Sequence, residues 1–268
     1  MYDSFSNEYD RFVNWKNRLD FEIPFIIEEI KKNNPNKPSE IQILDTATGT
    51  GMHAIALVQK GYAAWGVDLS AGMIQKARDN AAQNKVDCRF EVAGFGRISR
   101  MLLEKNREEN SFPTQFDVVL CLGNSLPHIN GLTELDSTLN DFARCLKPDG
   151  LLLVQNRNFD AVLSSQERWM EPQSFIDSEG EWLYLRMYDF LPDGCIQFNI
   201  ITLSRAHRTE NWTQKITENR LFPILKKDMV KSLKMAGFNR INLYGSLANT
   251  PFDEKESSNL VVLARKKK

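Results

Sequence analysis

The chain has 268 residues, 42% of them hydrophobic and 26% charged, with 34 Lys and Arg against 35 Asp and Glu for a formal net charge of −1. That length supports one large domain with an elaboration, or two small ones, burying roughly 70 to 75% of the unfolded surface without disulfide or metal staples. The apolar fraction excludes disorder, no apolar run approaches the ~18 residues of a membrane span, and near-neutral charge offers no general attraction to nucleic acid, which leaves a small molecule as the expected partner.

Met1 is followed by Tyr2-Asp3-Ser4-Phe5-Ser6-Asn7, which lacks the basic segment and apolar core of a signal peptide and predicts a cytoplasmic location. The polar stretch from Lys31 to Ser39 predicts a linker after an N-terminal helix. Ile41 to Ala47 reads as a buried strand, Thr48 to Gly51 as a glycine turn, and Met52 to Lys60 as a helix closed by Gly61. Ala63 to Val67 is a second strand ending in Asp68, Ser70 suits the N-cap of a helix from Ala71 to about Gln83, and Cys88 to Val92 makes a third strand. Phe116 to Leu122 is a fourth strand, Leu132 to Leu146 a helix stopped by Lys147-Pro148-Asp149-Gly150, and Leu151 to Asn156 a fifth strand. Short apolar strands alternating with helices predict an α/β fold, a Rossmann-like, doubly wound, mostly parallel sheet covered on both faces.

After Asp160 the pattern changes. Glu181 to Phe190, Cys195 to Arg205 and Trp212 to Phe222 alternate polar with apolar residues and are joined by Leu191-Pro192-Asp193-Gly194 and by His207 to Asn211, which predicts an inserted antiparallel β meander. Lys227 to Ala236 resumes a helix, and Ile241 to Tyr244 with Asn259 to Ala264 supply two last strands. The expected organisation is a helical segment over 1–38, an α/β domain over 39–160 and 223–268, and the insertion over 161–222, as lid or subunit interface. Tyr184, Arg186 and Tyr188 share one face of the first long meander strand; their alternation leaves open whether that face meets a ligand, solvent or a partner subunit. The four cysteines, Cys88, Cys121, Cys145 and Cys195, show neither zinc-site spacing nor a disulfide-dense pattern, so reduced, buried thiols and no metal are expected.

The turn Asp45-Thr46-Ala47-Thr48-Gly49-Thr50-Gly51 brings unpaired backbone N–H groups to the start of a helix, where a nucleotide-like ligand can approach without a Cβ in the way. Asp68, at the tip of the next strand, is placed to accept hydrogen bonds from both ribose hydroxyls. Gly49 to Ala54 also satisfies the dinucleotide pattern G-x-G-x-x-G/A, but Asp45 would repel a pyrophosphate and attract a ligand carrying an ammonium.

Ile43 to Gly51 with Gly66-Val67-Asp68-Leu69-Ser70 resembles the first two motifs of class I S-adenosylmethionine-dependent methyltransferases. Four further stretches resemble the glycine N-methyltransferase and glycine/sarcosine N-methyltransferase group: Leu122 to His128 after the fourth strand, Asn156-Arg157-Asn158-Phe159-Asp160 after the fifth, Tyr9 to Arg18 near the N-terminus, and Phe95. The resemblance implies S-adenosylmethionine as cofactor, released as S-adenosylhomocysteine, and a small amino acid, glycine, sarcosine or a relative, as acceptor. It implies a cofactor site of Arg18, Asp45, Ala47, Gly49, Gly51, Asp68, Leu69, Met73, Gly94, Phe95 and Leu122, with Asp45 near the methionyl ammonium, Arg18 on the methionyl carboxylate and Phe95 against adenine. It implies an acceptor site of Trp15, Gly123, Asn124, His128 and Arg157, the last three also catalytic, with Arg157 on the acceptor carboxylate. One departure is Leu221-Phe222-Pro223, where the animal glycine enzymes carry adjacent tyrosines before the proline, and the N-terminal extension that organises the animal tetramer is absent, so a monomer or small homo-oligomer is expected.

The residue types suit the chemistry. Methyl transfer is an in-line displacement by a neutral amine, so positioning and desolvation dominate and no strong base is needed. A guanidinium can grip a carboxylate with two parallel hydrogen bonds and fix the amine one carbon away. Methylation of another small molecule, nicotinamide-dependent oxidoreduction and noncatalytic cofactor sensing remain the competing readings at this level.

Overall fold

Runs such as Ile43-Leu44 and Val118-Val119-Leu120 are buried almost completely, as strands covered by helices on both faces must be. The computed structural model describes residues 9–109, 112–206 and 211–268, so residues 2–7 and most of the expected turn from His207 to Asn211 lie outside the described residues. After a helical turn over 9–12, the chain forms α1 (Trp15–Asn33), β1 (Gln42–Asp45), α2 (Met52–Gln59), β2 (Ala63–Asp68), α3 (Ala71–Gln83), β3 (Arg89–Val92), α4 (Ile98–Glu109) and β4 (Phe116–Cys121). It continues through α5 (Leu132–Cys145), β5 (Leu146–Arg157), α6 (Phe159–Ser165), β6 (Gln173–Ile176), β7 (Glu181–Phe190), β8 (Ile196–Arg205), β9 (Thr213–Leu221), α7 (Lys226–Met235), β10 (Phe238–Tyr244) and β11 (Asn259–Lys266).

Seven strands form a sheet in the order β10-β11-β5-β4-β1-β2-β3. Pairing is parallel from β5 through β3, while β11 runs antiparallel to both β5 and β10. Strand order reverses direction between β1 and β4, so the crevice of the sheet opens where β1, β2, β4 and β5 end. Those ends carry Asp45, Asp68, Leu122 and Arg157. The helix α1 is not a satellite: Ile23, Phe25, Ile26 and Ile30 are buried in the same cluster as Ile43, Leu57 and Val261.

The remaining strands make a separate antiparallel sheet, β6-β7-β8-β9. Register pairs Tyr188 with Phe198 and Arg186 with Ile200, so these four side chains share one face. The 9–14 segment reaches this sheet: Arg11 pairs with Asp177 at 3.2 Å and with Glu179, and stacks over Trp182. Phe12 meets Tyr184 edge-on at 5.2 Å.

Several details differ from the sequence pattern. Lys147-Pro148-Asp149-Gly150 does not separate helix from strand; it lies inside β5, where the register jumps from Phe116↔Leu146 to Val118↔Leu151 and Asp149 takes φ 62°. That excess of residues over the partner strand makes an irregular bulge. The elements α4, α6 and β6 had no counterpart in the expected order. Cys121 and Cys145 are buried, but Cys88 and Cys195 are only half-buried, and all four thiols are free.

Gly51 shows how tightly the first turn is built. Its φ is +81°, and a Cβ there would sit 2.8 Å from the Phe90 ring and 2.9 Å from the Ala77 methyl. At Gly49, with φ +53°, the nearest atom to such a Cβ is a Tyr9 ring carbon at 3.9 Å. Gly51→Ala should therefore cost on the order of 2 to 4 kcal/mol in urea unfolding, from overpacking added to left-handed strain. Gly49→Ala should cost the strain alone, about 1 to 2 kcal/mol; equal losses at the two positions would reject this division of labour.

Candidate active site

β1 ends in a carboxylate with nothing to hold. Asp45 is 1% exposed, and neither of its side-chain oxygens has a hydrogen-bond partner among the described residues. Burial raises its pKa above the ordinary carboxylate value, against the opposing influence of His53, Thr48 and the Ala47 amide. The turn that follows is folded by Thr46 Oγ1 donating to Leu120 O at 2.8 Å, Thr48 N to Val67 O at 2.9 Å and Gly51 N to Thr48 O at 2.9 Å. Asp68 ties this turn to the next: one carboxylate oxygen accepts from Gly49 N and the other from Ser70 N, each at 2.9 Å. Both oxygens of this carboxylate are acceptors, the type of group that a ligand hydroxyl donates to.

Above the turn lies a cavity of about 360 Å³ lined by the expected Ala47, Gly49, Asp68, Leu69, Met73, Gly94 and Phe95. Leu69 is 78% exposed at its rim, an apolar side chain held in the open beside a pocket. Phe95 is braced edge-on by Phe142 at 5.8 Å. Asp45, Gly51 and Leu122 do not line it, whereas Tyr9, Arg97 and Glu134 do. Tyr9 belongs to the quoted N-terminal motif and was recoverable from it; Arg97 and Glu134 carry no local signal.

A second cavity, about 490 Å³, is lined by Gly123, Asn124, His128 and Arg157 from the sheet's end, and by Arg186, Tyr188, Phe198 and Ile200 from the meander. The shared face of β7 thus turns inward over the sheet. The two cavities have Tyr9, Gly123 and His128 in common. Arg18 lines the second cavity and not the first. Its Nε donates to both oxygens of Glu22, at 3.0 and 3.1 Å, which draws it toward the second cavity beside Gly123. Glu22 is also 2.5 Å from His53 Nε2; burial opposes its charge, but the His53 hydrogen bond and the nearby positive groups hold it below the usual carboxylate range. Trp15 lines neither cavity: its Nε1 donates to Asp10 at 2.8 Å and its ring meets Tyr9 and His53. Asp10 also accepts from Thr50 Oγ1 at 2.6 Å and Asn80 Nδ2 at 3.1 Å, so it pins the N-terminal segment beside the glycine turn.

The loop after β4 is strained and pinned. Gly123 and Asn124 have φ of 75° and 60°. Gln155 in β5 holds them, its side-chain oxygen accepting from Gly123 N at 2.8 Å and its main-chain oxygen from Asn124 N at 3.2 Å. Asn124 Oδ1 in turn accepts from Arg157 N at 2.9 Å, so its side chain positions the arginine backbone. Burial lowers the His128 pKa to about 4, leaving a neutral imidazole at pH 7. Leu221 and Phe222 do not line the cavity; Leu221 is buried, and Phe222 N donates to Pro127 O at 2.8 Å, anchoring the meander's end. Among the described residues no group of three or more His, Cys, Asp or Glu could hold a metal ion, and no helix is long and apolar enough to cross a membrane.

The orphaned Asp45 has a measurable consequence. Its folded pKa lies above its unfolded value of about 3.9, so the folded state holds the proton more tightly. The stability this lends is fully present below the unfolded pKa and is lost as pH rises through the folded one. Unliganded wild type should therefore lose stability relative to Asp45→Asn as pH rises from about 4 toward neutrality, read from urea midpoints across that range. Parallel curves would show that the carboxylate is satisfied in solution.

The family model described as "Methyltransferase domain" matches residues 37–224. The chain is 28% identical over 252 residues to a glycine/sarcosine N-methyltransferase of Aphanothece halophytica, covering 92% of this chain and 83% of that protein. It is 26% identical over 267 residues to a glycine/sarcosine/dimethylglycine N-methyltransferase of Actinopolyspora halophila, covering 98% of this chain and 41% of that longer protein. Among solved structures, an S-adenosylmethionine-dependent methyltransferase from Clostridium acetobutylicum matches with a TM-score of 0.73 at 20% identity, over 100% of this chain and 99% of the other. The sheet order, the glycine turn and the extended family match lead to one conclusion: this chain belongs to the methyltransferase domain family and has the fold of S-adenosylmethionine-dependent methyltransferases.

Proposed function

We propose that the chain uses S-adenosylmethionine to methylate the nitrogen of a small amino acid, glycine, sarcosine or a close relative. The observation that carries this reading is the junction of two cavities at Gly123 and His128, with an acidic, nucleotide-like end on one side and an arginine-bearing end on the other. The residues present fit the cofactor. Asp45 supplies a buried carboxyl beneath the turn, Asp68 carboxylate oxygens to accept from ribose hydroxyls, and Leu69, Met73, Gly94 and Phe95 an apolar slot for adenine. When bound, the cofactor supplies an electrophilic methyl group.

The chain's own work is positioning. Arg157 holds the acceptor carboxylate, which fixes the amine at the junction. The backbone around Gly123 and Asn124, pinned by Gln155, offers carbonyl oxygens to the amine N–H groups and so aims the nitrogen lone pair. His128, neutral at physiological pH, serves as a hydrogen-bonding wall and not as the amine's base. Tyr9 from the N-terminal segment and the inward face of β7 and β8 exclude water from above, which favours attack by an uncharged amine. The relatives named for glycine and sarcosine methylation support the choice of acceptor.

Arg157 tests the assignment. Arg157→Lys keeps the charge and loses the two-pronged grip, so kcat/KM for glycine or sarcosine should fall by roughly 1.5 to 3 kcal/mol of transition-state stabilisation. The matching amine without a carboxylate should lose little, and S-adenosylhomocysteine affinity should hardly move. Equal loss on both acceptors, or no preference for the carboxylate in wild type, would remove the amino acid from this reading and leave a methyltransferase of another small molecule.

A further inference from the structure

The acceptor cavity holds more positive charge than one carboxylate needs. Arg157 enters from the end of β5, and Arg186 enters from the roof on β7. The Nε atoms of both are buried without a hydrogen-bond partner, and neither guanidinium is paired with a carboxylate among the described residues. No Asp or Glu among the described residues lines this cavity. Arg186 has only weak compensation: its Nη2 donates to Glu171 O at 3.2 Å and its guanidinium lies 5.6 Å from the centre of the Phe12 ring. Burial, and then the positive charge of Arg157, lower its pKa. Two like charges partly removed from water in one pocket are costly unless an anion joins them.

Alternatives for Arg186 are closed by its neighbours. On the same sheet Arg205 is bound to Glu181 and Arg220 to Asp193, and just before it Arg168 is bound to Asp189, so arginines of this region find acids where they are structural. Arg186 points instead into a cavity of about 490 Å³, which has room beyond the five heavy atoms of glycine. Tyr188, on the same face, has its hydroxyl within hydrogen-bonding reach of Arg157 and supplies a further donor for an anion there.

We propose that the preferred acceptor is an amino acid carrying a second acidic group, with its α-carboxylate on Arg157 and the second anion, carboxylate or phosphate, on Arg186. The proposal rests on the reading of Arg157 as the site of the acceptor's α-carboxylate, and it moves the preferred acceptor from glycine and sarcosine to an amino acid with two anionic groups. Arg186 is then a specificity-determining residue, and Phe12 and Ile200 set the distance between the amine and the second acid by flanking it.

The test uses the full chain saturated with S-adenosylhomocysteine, titrated calorimetrically with glycine, sarcosine, L-aspartate, L-glutamate and O-phospho-L-serine, and repeated as methyl incorporation from S-adenosylmethionine. In wild type, at least one dianionic amino acid should bind about tenfold or more tightly than glycine, since a buried charged hydrogen bond supplies that much. The aspartate and glutamate arms against the phosphoserine arm identify which acid the site takes. Arg186→Gln should shrink the preference to threefold or less, and Arg186→Lys should retain part of it, which separates charge recognition from loss of folding. Glycine or sarcosine binding and accepting methyl as well as every dianion would overturn this proposal and leave the amino acid reading standing. Failure of all five amino acids in both assays would overturn the two together.

Discussion

The tie between Gln155 and the loop after β4 is the constraint on which the site depends. The parallel neighbours β4 and β5 leave the sheet at the same edge, next to the switch point between β4 and β1, and something must decide how the chain leaves each strand. Here Gln155 accepts from Gly123 and Asn124, and Asn124 accepts from Arg157, so two strand exits become one rigid unit. The positive φ values at Gly123 and Asn124 are the cost of that geometry, and they lie at the junction of the two cavities. Residues held in sparsely populated backbone regions persist where surrounding structure over-determines them. Asn259 extends the tie by accepting from Gln155 Nε2 at 3.0 Å, which brings β11 into the same unit.

On either side of this junction the charges are sorted. The first cavity carries Asp68 and Glu134 with Arg97 in its wall and the buried Asp45 beneath it; the second carries Arg18, Arg157 and Arg186 and no acidic side chain among the described residues. A low-dielectric interior amplifies such sorting, because each uncompensated group attracts its complement more strongly than it would in water. The N-terminal segment completes the enclosure from two directions at once: Asp10 docks it on Thr50 and Asn80 of the α/β body, and Arg11 docks it on Asp177 and Glu179 of the meander. Tyr9, next to those anchors in the chain, lines both cavities.

The glycine turn, the acid after β2 and the alternating β/α order were legible because each rests on a local pattern: an apolar run, a turn residue and a cap within a few positions. Arg157 and the Gly123-Asn124 loop were legible from motifs of the same kind. What was not legible depends on distant partners. The start of α4 is capped by Asp141, 43 residues from Ile98 and buried on α5. The four residues Lys147 to Gly150 read locally as a stop, yet pairing with β4 absorbs them as a bulge. Arg18 lines the second cavity and not the first because Glu22 holds it there, and Glu22 is itself held by His53 across 31 positions. Period-2 alternation assigned Tyr184, Arg186 and Tyr188 to one face, but only the packing of the meander over the sheet determines that this face looks inward.

A crystal structure of the chain with S-adenosylhomocysteine and an amino acid acceptor bound together tests the two-cavity arrangement most directly. The ribose should lie on Asp68, the adenine between Leu69 and Phe95, the sulfur facing the junction at Gly123 and His128, and the acceptor carboxylate on Arg157. A sulfur turned away from that junction, or an acceptor seated outside the cavity that Arg157 lines, would contradict it.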